Sequence, residues 1–332
     1  MTPRTRPLQA RFLPPNPPMN PIRVLLIALG VFAAGYLYVF IAGLARDARD
    51  GQPLAPKPVM SVISFIANFF DTLGVGSYAT TTAMVRFFKQ MPDEKIPGSL
   101  NVGYVLPTMI EAYVTIHGMS GLGVTVAPVE VDPLTLILLI LAAILGAWLG
   151  AGVVSRWPRR KIQLGMGLCL AAAAIIMVVR LTFFHSLDVG TTGLTGIKLA
   201  LGIIGLFGLG ALMTLGIGLY APCLILVTLL GMNDKSGYPI MMGACAFLMP
   251  VAVVRFIRAR AYFAPAMIAM AIPGMLAVPL AFKWFQNLDM YWVKVVVICV
   301  VTYASITMLL TAYRERGTDA ASRSASFEGA AA

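Results

Sequence analysis

The chain has 332 residues, of which 59% are hydrophobic and only 12% are charged, and its mean hydropathy is +0.84. An ordinary soluble domain carries about 25% charged residues, so this composition excludes a soluble enzyme and indicates an integral membrane protein. The net charge is +11, but the basic residues are spread over short loops and both tails, which is typical of membrane topology and argues against a nucleic-acid surface.

The first 45 residues contain a polar tail and an apolar helix. Residues 1–20 are rich in Pro and Arg, which predicts a disordered tail. Residues 21–45 are too long an apolar run for a signal peptide, and no small-residue cleavage site follows them. We therefore expect a retained extra transmembrane helix.

Eight further helical segments follow, separated by short stretches rich in Pro, Gly and charged residues. They are predicted at 60–89, 98–126, 133–154, 162–183, 198–230, 238–256, 262–282 and 291–313. Residues 314–332 are again polar and are predicted to be disordered. The predicted fold class is an all-α polytopic membrane protein.

A motif occurs twice in this sequence. "TLGVGSYA" at 72–79 and "TLGIGLYA" at 214–221 match at six of eight positions. The duplication predicts two homologous repeats, 58–183 and 198–313, each with one motif segment followed by three transmembrane helices. The extra helix at 21–45 stands outside them.

Each motif segment contains glycines that favour a break in its helix. An unbroken helix over 60–89 would be about 44 Å long, more than the roughly 30 Å hydrocarbon layer needs. If both segments dip into the membrane and return, most basic residues fall on one side, whereas nine full crossings divide them almost evenly. Re-entry also leaves an odd number of crossings in each half, which predicts inverted repeats.

The broken segments predict a functional cavity near the membrane midplane. Non-helical backbone at that depth is tolerated where it is buried in protein or lines a wet cavity, and helix N-termini bind small anions. The alternative is that the glycines only allow close packing and the hydroxyls bond within their own helices. The predicted substrate-binding residues are Thr72, Gly74, Gly76, Ser77, Tyr78, Thr80, Thr81, Ser99, Asn101, Gly216, Gly218 and Tyr220.

Two carboxylates lie well inside predicted segments, Asp71 and Glu111. An uncompensated charge there costs at least about 2.5 to 3.5 kcal/mol, so such residues are candidates for proton coupling. The alternatives are a helix-end cap for Asp71 and a structural hydrogen bond for Glu111, one turn past Pro107.

The motif residues resemble a known family. "NFFDTLGVGSYATTTAMVRFF" with the following "GSLNVG", and "TLGIGLYAPCLILVTLLGMN" in the second half, are similar to the two copies of the sulfite exporter or anion permease family known as TauE/SafE. The resemblance covers roughly 58–313. It implies a multi-pass permease of the bacterial inner membrane that moves organosulfonates, sulfite or related anions, often as an ion-coupled exporter.

Two other classes stay open. A membrane redox or sulfur-handling protein would use Cys223 and Cys245, although no CxxC pair is present. A structural assembly subunit would use its extra helix to dock a partner. His117 and His185 have no metal-ligand spacing, so no metal, cofactor or catalytic residue is predicted. The expected partners are the small anion, the lipid bilayer and a second copy in a homo-oligomer.

Overall fold

The computed structural model describes residues 21–150 except 75, 122 and 123, residues 190–214 and 218–285, and scattered positions in 164–179 and 295–313. The predicted disordered tails and Gly216 lie outside the described residues. The described chain is almost entirely helical, and four of its helices are long and apolar enough to cross a membrane. The protein is therefore an α-helical membrane protein.

Ten α-helices are fully described. They are α1 (Pro21–Arg49), α2 (Pro58–Asp71), α3 (Ser77–Phe87), α4 (Ile96–Gly103), α5 (Val105–His117), α6 (Pro133–Leu145), α7 (Gly196–Met213), α8 (Tyr220–Leu229), α9 (Asp234–Arg258) and α10 (Ala264–Phe285). A 3₁₀ turn (Asp93–Lys95) precedes α4, and a π-helical turn (Gly146–Gly150) continues α6.

The first motif segment is broken between α2 and α3. Gly74 and Gly76 both have positive φ, +84° and +85°, a region that L-residues avoid. At the start of α2 the Lys57 Nζ donates to the carbonyl of Gln90, beyond α3, at 2.9 Å. Helices that continued in one direction would hold these residues about 40 Å apart, so α2 and α3 form a hairpin.

The second motif segment doubles back in the same way. The amide of Asn233, just after α8, donates to the carbonyl of Thr191, just before α7, at 3.0 Å. The amide of Thr191 in turn donates to the carbonyl of Gly231 at 3.1 Å. Helices α7 and α8 are therefore the arms of a second hairpin, whose tip includes Thr214, Gly218 and Leu219.

The predicted helix at 98–126 was wrong over its last third, residues 118–126. Helix α5 ends at His117, because Gly118 takes a positive φ of +84°. Two short antiparallel strands follow, β1 (Met119–Gly121) and β2 (Val124–Val126), with Ser120 opposite Thr125. The residues Val124–Val126 satisfy their backbone groups across a hairpin instead of within a helix.

Each hairpin packs on a helix from the other half of the chain. Helix α2 lies along α10, and α7 lies along α6. Glycines bring the second pair close, since a Cβ at Gly146 would overlap the carbonyl of Phe207 and one at Gly210 that of Ala143. The central helix α9 contacts α1, α4, α5, α6 and α8 and is the most buried of the candidate spans.

The extra helix α1 is longer than predicted and extends to Arg49. This extension buries the carboxylate of Asp47, which accepts a hydrogen bond of 2.5 Å from Tyr262 in the loop between α9 and α10. Arg46 donates to the carbonyl of Ile257, and Tyr36 donates to that of Val102. Helix α1 is thereby fixed to the rest of the fold at two levels.

Candidate functional site

The two hairpin tips are in contact, and the same two motif positions form the contact on both sides. A Cβ at Gly76 would lie 3.8 Å from the Cβ of Tyr220, and one at Gly218 would lie 3.6 Å from the Cβ of Tyr78. The glycine of each motif therefore lies against the tyrosine of the other. This arrangement leaves space for a small cavity between the tips.

The cavity has room for about one water molecule. Its lining combines both tips with α5 and α9, and none of the described lining residues is Lys or Arg. The lining residues are Asp71, Gly76, Ser77, Tyr78, Thr108, Met213, Gly218, Leu219, Tyr220, Cys245 and Met249. Larger ligands enter only if the tips separate.

The carboxylate of Asp71 lies at the start of α3. Its Oδ1 accepts a hydrogen bond of 2.7 Å from the amide of Ser77, the first residue of that helix. The N-cap residue is Gly76, so Ser77 is the first helical residue and its amide has no acceptor within the helix. Asp71 supplies the missing acceptor from across the break, as the capping alternative predicted, and it also faces the cavity.

The carboxylate of Glu111 connects the two hairpins. Its Oε1 lies 2.9 Å from the hydroxyl of Thr72, and its Oε2 accepts a hydrogen bond of 2.6 Å from Tyr220. The Thr72 hydroxyl also lies 3.0 Å from the carbonyl of Asn68. Because a hydroxyl has one proton, a protonated Glu111 that donates to Thr72 leaves this hydroxyl free to donate to Asn68.

One polar group in the cavity wall has no partner. Among the residues that the structure describes, none bonds to the hydroxyl of Tyr78, although Tyr78 is only 4% exposed. Native proteins rarely bury a hydroxyl without a partner, because desolvating it costs free energy. The hydrogen-bonding capacity of this cavity-lining tyrosine is therefore unused in the described part of the chain.

Other predicted residues support the first tip without lining the cavity. The Thr80 hydroxyl bonds back to the carbonyl of Ser77 at 2.9 Å, as the within-helix alternative predicted. The Thr81 hydroxyl lies 2.7 Å from that of Tyr104, at the junction of α4 and α5. Gly74 lies against the ring of Tyr238, whose hydroxyl donates to the carbonyl of Leu73.

Ser99 and Asn101 lie on α4, and the structure does not bring them to the cavity lining. The hydroxyl of Ser99 accepts a hydrogen bond from the amide of Phe263, in the loop before α10. The Asn101 side chain donates to the carbonyl of Pro97. Both residues thus have contacts within and around α4 itself.

Three residues of the cavity wall outside the motifs were not predicted from the sequence: Thr108, Met213 and Met249. A fourth, Cys245, was named only for the redox alternative. Thr108 lies one turn before Glu111, so the position of Glu111 was a signal for it. The thiol of Cys245 lies 3.5 Å from the sulfur of Met213, and both are buried. Nothing in their sequence distinguishes such residues from ordinary core positions.

No family model, curated protein or solved structure matches this chain. Its function is therefore argued from the geometry of the two hairpin tips and the carboxylates beside them.

Proposed function

We propose that this protein is a secondary transporter that moves a small anion through a site between the two hairpin tips. The observation that carries the proposal is the reciprocal contact of Gly76 with Tyr220 and of Gly218 with Tyr78. Many secondary transporters place substrate sites where two broken helices from inverted repeats meet near the midplane.

Two clusters of loops support inverted repeats with re-entrant hairpins. Lys57 contacts Gln90, and Lys95 donates to the carbonyl of Arg260, so the ends of the first hairpin lie with the α9–α10 loop. Thr191 contacts Asn233, and the Ser236 hydroxyl donates to the backbone carbonyl of Glu130. The ends of the second hairpin therefore lie with the α5–α6 connection. Because α9 joins these clusters, they lie at opposite ends of the molecule.

Basic residues favour the first cluster as the cytoplasmic face. It includes Arg46, Lys57, Lys95 and Arg260, whereas the second includes Lys198 and Lys235. Positive residues are retained on the cytoplasmic side of bacterial membranes. We therefore propose a bacterial inner-membrane protein with the first hairpin entering from the cytoplasm and the second from outside.

Backbone amides and hydroxyls are the donors for the anion in this proposal. The amide of Ser77 lies at the positive end of the α3 dipole, and Tyr78 and Thr108 line the same cavity. Tyr220 also lines it, but its hydroxyl reaches the anion only by leaving Glu111. Binding without a Lys or Arg favours release, which transport requires.

Asp71 or Glu111 carries the coupling proton in this proposal. Both are buried, at 2% and 0% exposure, and no Lys or Arg lies among the described lining residues. A buried carboxylate without a cation loses its charge by taking up a proton. The site thus combines anion donors with two groups that can bind protons.

The proposed substrate class is an organosulfonate, sulfite or a related sulfur oxyanion or carboxylate, as the TauE/SafE resemblance implies. In this proposal the protein catalyses no reaction and transfers no electrons. The test is uptake of labelled thiosulfate, methanesulfonate and oxalate into proteoliposomes, with an imposed pH gradient in either direction. The proposal predicts uptake of at least one anion that follows the pH gradient. Equal uptake in protein-free vesicles for all three would contradict it.

A further inference from the structure

We infer that Asp71 is a tethered competitor of the transported anion, which enters the site only when Asp71 takes up a proton. This inference rests on the proposed function and specifies how proton and anion are coupled. Its geometric basis is that the Asp71 carboxylate already occupies the position at the start of α3 where an external anion would bind.

The amide of Ser77 is the first donor of an 11-residue helix. Its N–H lies at the positive end of the helix dipole and has no acceptor within the helix. The 2.7 Å hydrogen bond from this amide to Asp71 Oδ1 therefore places a carboxylate at the anion-binding position. An external anion needs the same donor.

The unpartnered hydroxyl of Tyr78 is a second and independent observation. Tyr78 follows Ser77 in α3, lines the same cavity and is 4% exposed. Asp71 does not accept from this hydroxyl in the structure, although both residues line the cavity. The Ser77 residue that holds Asp71 and this buried, unpartnered tyrosine therefore line one and the same cavity.

None of the described groups that face Asp71 is a cation that could neutralise both an ionised Asp71 and a bound anion. Glu111 faces it from α5 and Cys245 from α9, and three tyrosines complete the surroundings. Helix α10, which packs along α2, has Lys283 as its single ionisable residue, and Lys283 is exposed near the end of that helix. The three tyrosines are Tyr78, Tyr104 and Tyr220.

An anion and an ionised Asp71 therefore repel each other in a site of low polarity. In the exchange, a proton from the open side binds an oxygen of Asp71, and the Ser77 amide transfers its hydrogen bond to the anion. One proton enters with each anion, so a monovalent anion moves without net charge. Only protein with a protonated Asp71 binds the anion. Above the pH at which Asp71 ionises, the apparent dissociation constant of the anion should therefore rise tenfold per pH unit.

The experiment is calorimetric titration of the purified full-length protein with thiosulfate, methanesulfonate and oxalate between pH 5.5 and 8.5, where all three keep a fixed charge. The wild type is compared with Asp71→Asn, which carries a neutral side chain of the same size. Asp50→Asn, an exposed carboxylate paired with Arg260, is the matched control. Thermal unfolding of each variant without ligand establishes that it is folded.

The inference predicts that wild-type protein and Asp50→Asn bind more weakly as the pH rises, approaching tenfold per unit, and take up one proton per anion. Asp71→Asn should bind at pH 8.5 as tightly as at pH 5.5 and take up none. The inference is wrong if the affinity of folded Asp71→Asn for the anion falls with pH as steeply as that of the wild type. It is also wrong if the wild-type affinity does not change with pH. In both cases the anion site itself is still supported. If none of the three anions binds wild type at any pH, the proposed function fails together with it.

Discussion

The hydroxyl of Tyr220 lies 2.6 Å from Oε2 of Glu111, and both residues are buried. The tyrosine belongs to the second motif and the glutamate to α5 of the first half. With the contact between Thr72 and Oε1, this hydrogen bond links both hairpin tips to one carboxyl group. Any separation of the tips must break or exchange one of these contacts.

Removing the Tyr220 hydroxyl should destabilise the folded protein. In Tyr220→Phe the buried Oε2 of Glu111 loses its donor, which costs about 1–3 kcal/mol. Reversible unfolding in mixed detergent micelles measures the change. The control is Tyr113→Phe, which removes a hydroxyl from an exposed position of α5 and should change the free energy by less than about 0.5 kcal/mol. Equal losses of unfolding free energy in the two variants would contradict a stabilising hydrogen bond between Tyr220 and Glu111.

Alanine at Gly76 should disturb the first tip through its backbone. The φ of +85° disfavours an L-residue by about 1–2 kcal/mol, whereas the nearest atom to the new Cβ, 3.8 Å away, leaves room for it. We expect reduced stability and reduced transport in Gly76→Ala. The control is Gly35→Ala in α1, where the new Cβ meets nothing within 4 Å. Wild-type stability and transport in Gly76→Ala would contradict the need for a positive φ at this position.

Cysteine labelling tests the topology of the hairpins. Single cysteines at Ala55 and Phe88 flank the first hairpin, and single cysteines at Thr195 and Lys235 flank the second, all at exposed positions. In protein whose four native cysteines are replaced, an impermeant maleimide should label the first pair from the cytoplasmic side and the second from outside. Labelling of the two members of either pair from opposite sides would contradict re-entry.

The start of α6 should respond to acid. Asp132 caps this helix by accepting from the amide and the hydroxyl of Thr135, and these hydrogen bonds lower the pKa of the Asp132 carboxyl. Because the folded protein favours the ionised form, the cap is fully effective above about pH 4 and weakens as the pH falls below that range.

Asp132→Ala should therefore cost about 0.5–2 kcal/mol at neutral pH and lose less stability than the wild type on acidification. Asp132→Asn keeps an acceptor for the amide and should lose less at neutral pH than the alanine variant. The measurement is the free energy of unfolding of the three proteins between pH 7 and pH 3. Parallel pH profiles for wild type and Asp132→Ala would contradict the assigned cap.

The helices and their apolar character could be predicted from the sequence, because membrane spans are long and uniformly apolar. The motif breaks were also readable, since Gly74 and Gly76 interrupt such a span. The strand pair after His117 was missed because Val and Thr suit a membrane helix and a strand equally well. A turn at Gly118 decided the outcome through its positive φ.

The candidate site could be predicted only in part. Ser77, Tyr78 and Tyr220 belong to the motifs and Asp71 directly precedes the first one, and the structure brings all four together at one cavity. The partner of each group could not be predicted, because these contacts join residues far apart in the chain. Glu111 was chosen for its charge, but its hydrogen bond with Tyr220 spans 109 residues and depends on how the two halves pack.

The most direct test of the central claim is thermal stabilisation by anions, because a ligand that binds the folded state raises its melting temperature. Sulfite, thiosulfate, sulfoacetate, taurine, oxalate and acetate are compared at pH 5.5 with wild type, Gly76→Ala and Gly35→Ala. An anion site between the hairpin tips predicts a rise with at least one anion in wild type and Gly35→Ala, and a smaller rise or none in Gly76→Ala. No rise with any anion, or the same rise in all three proteins, would contradict it.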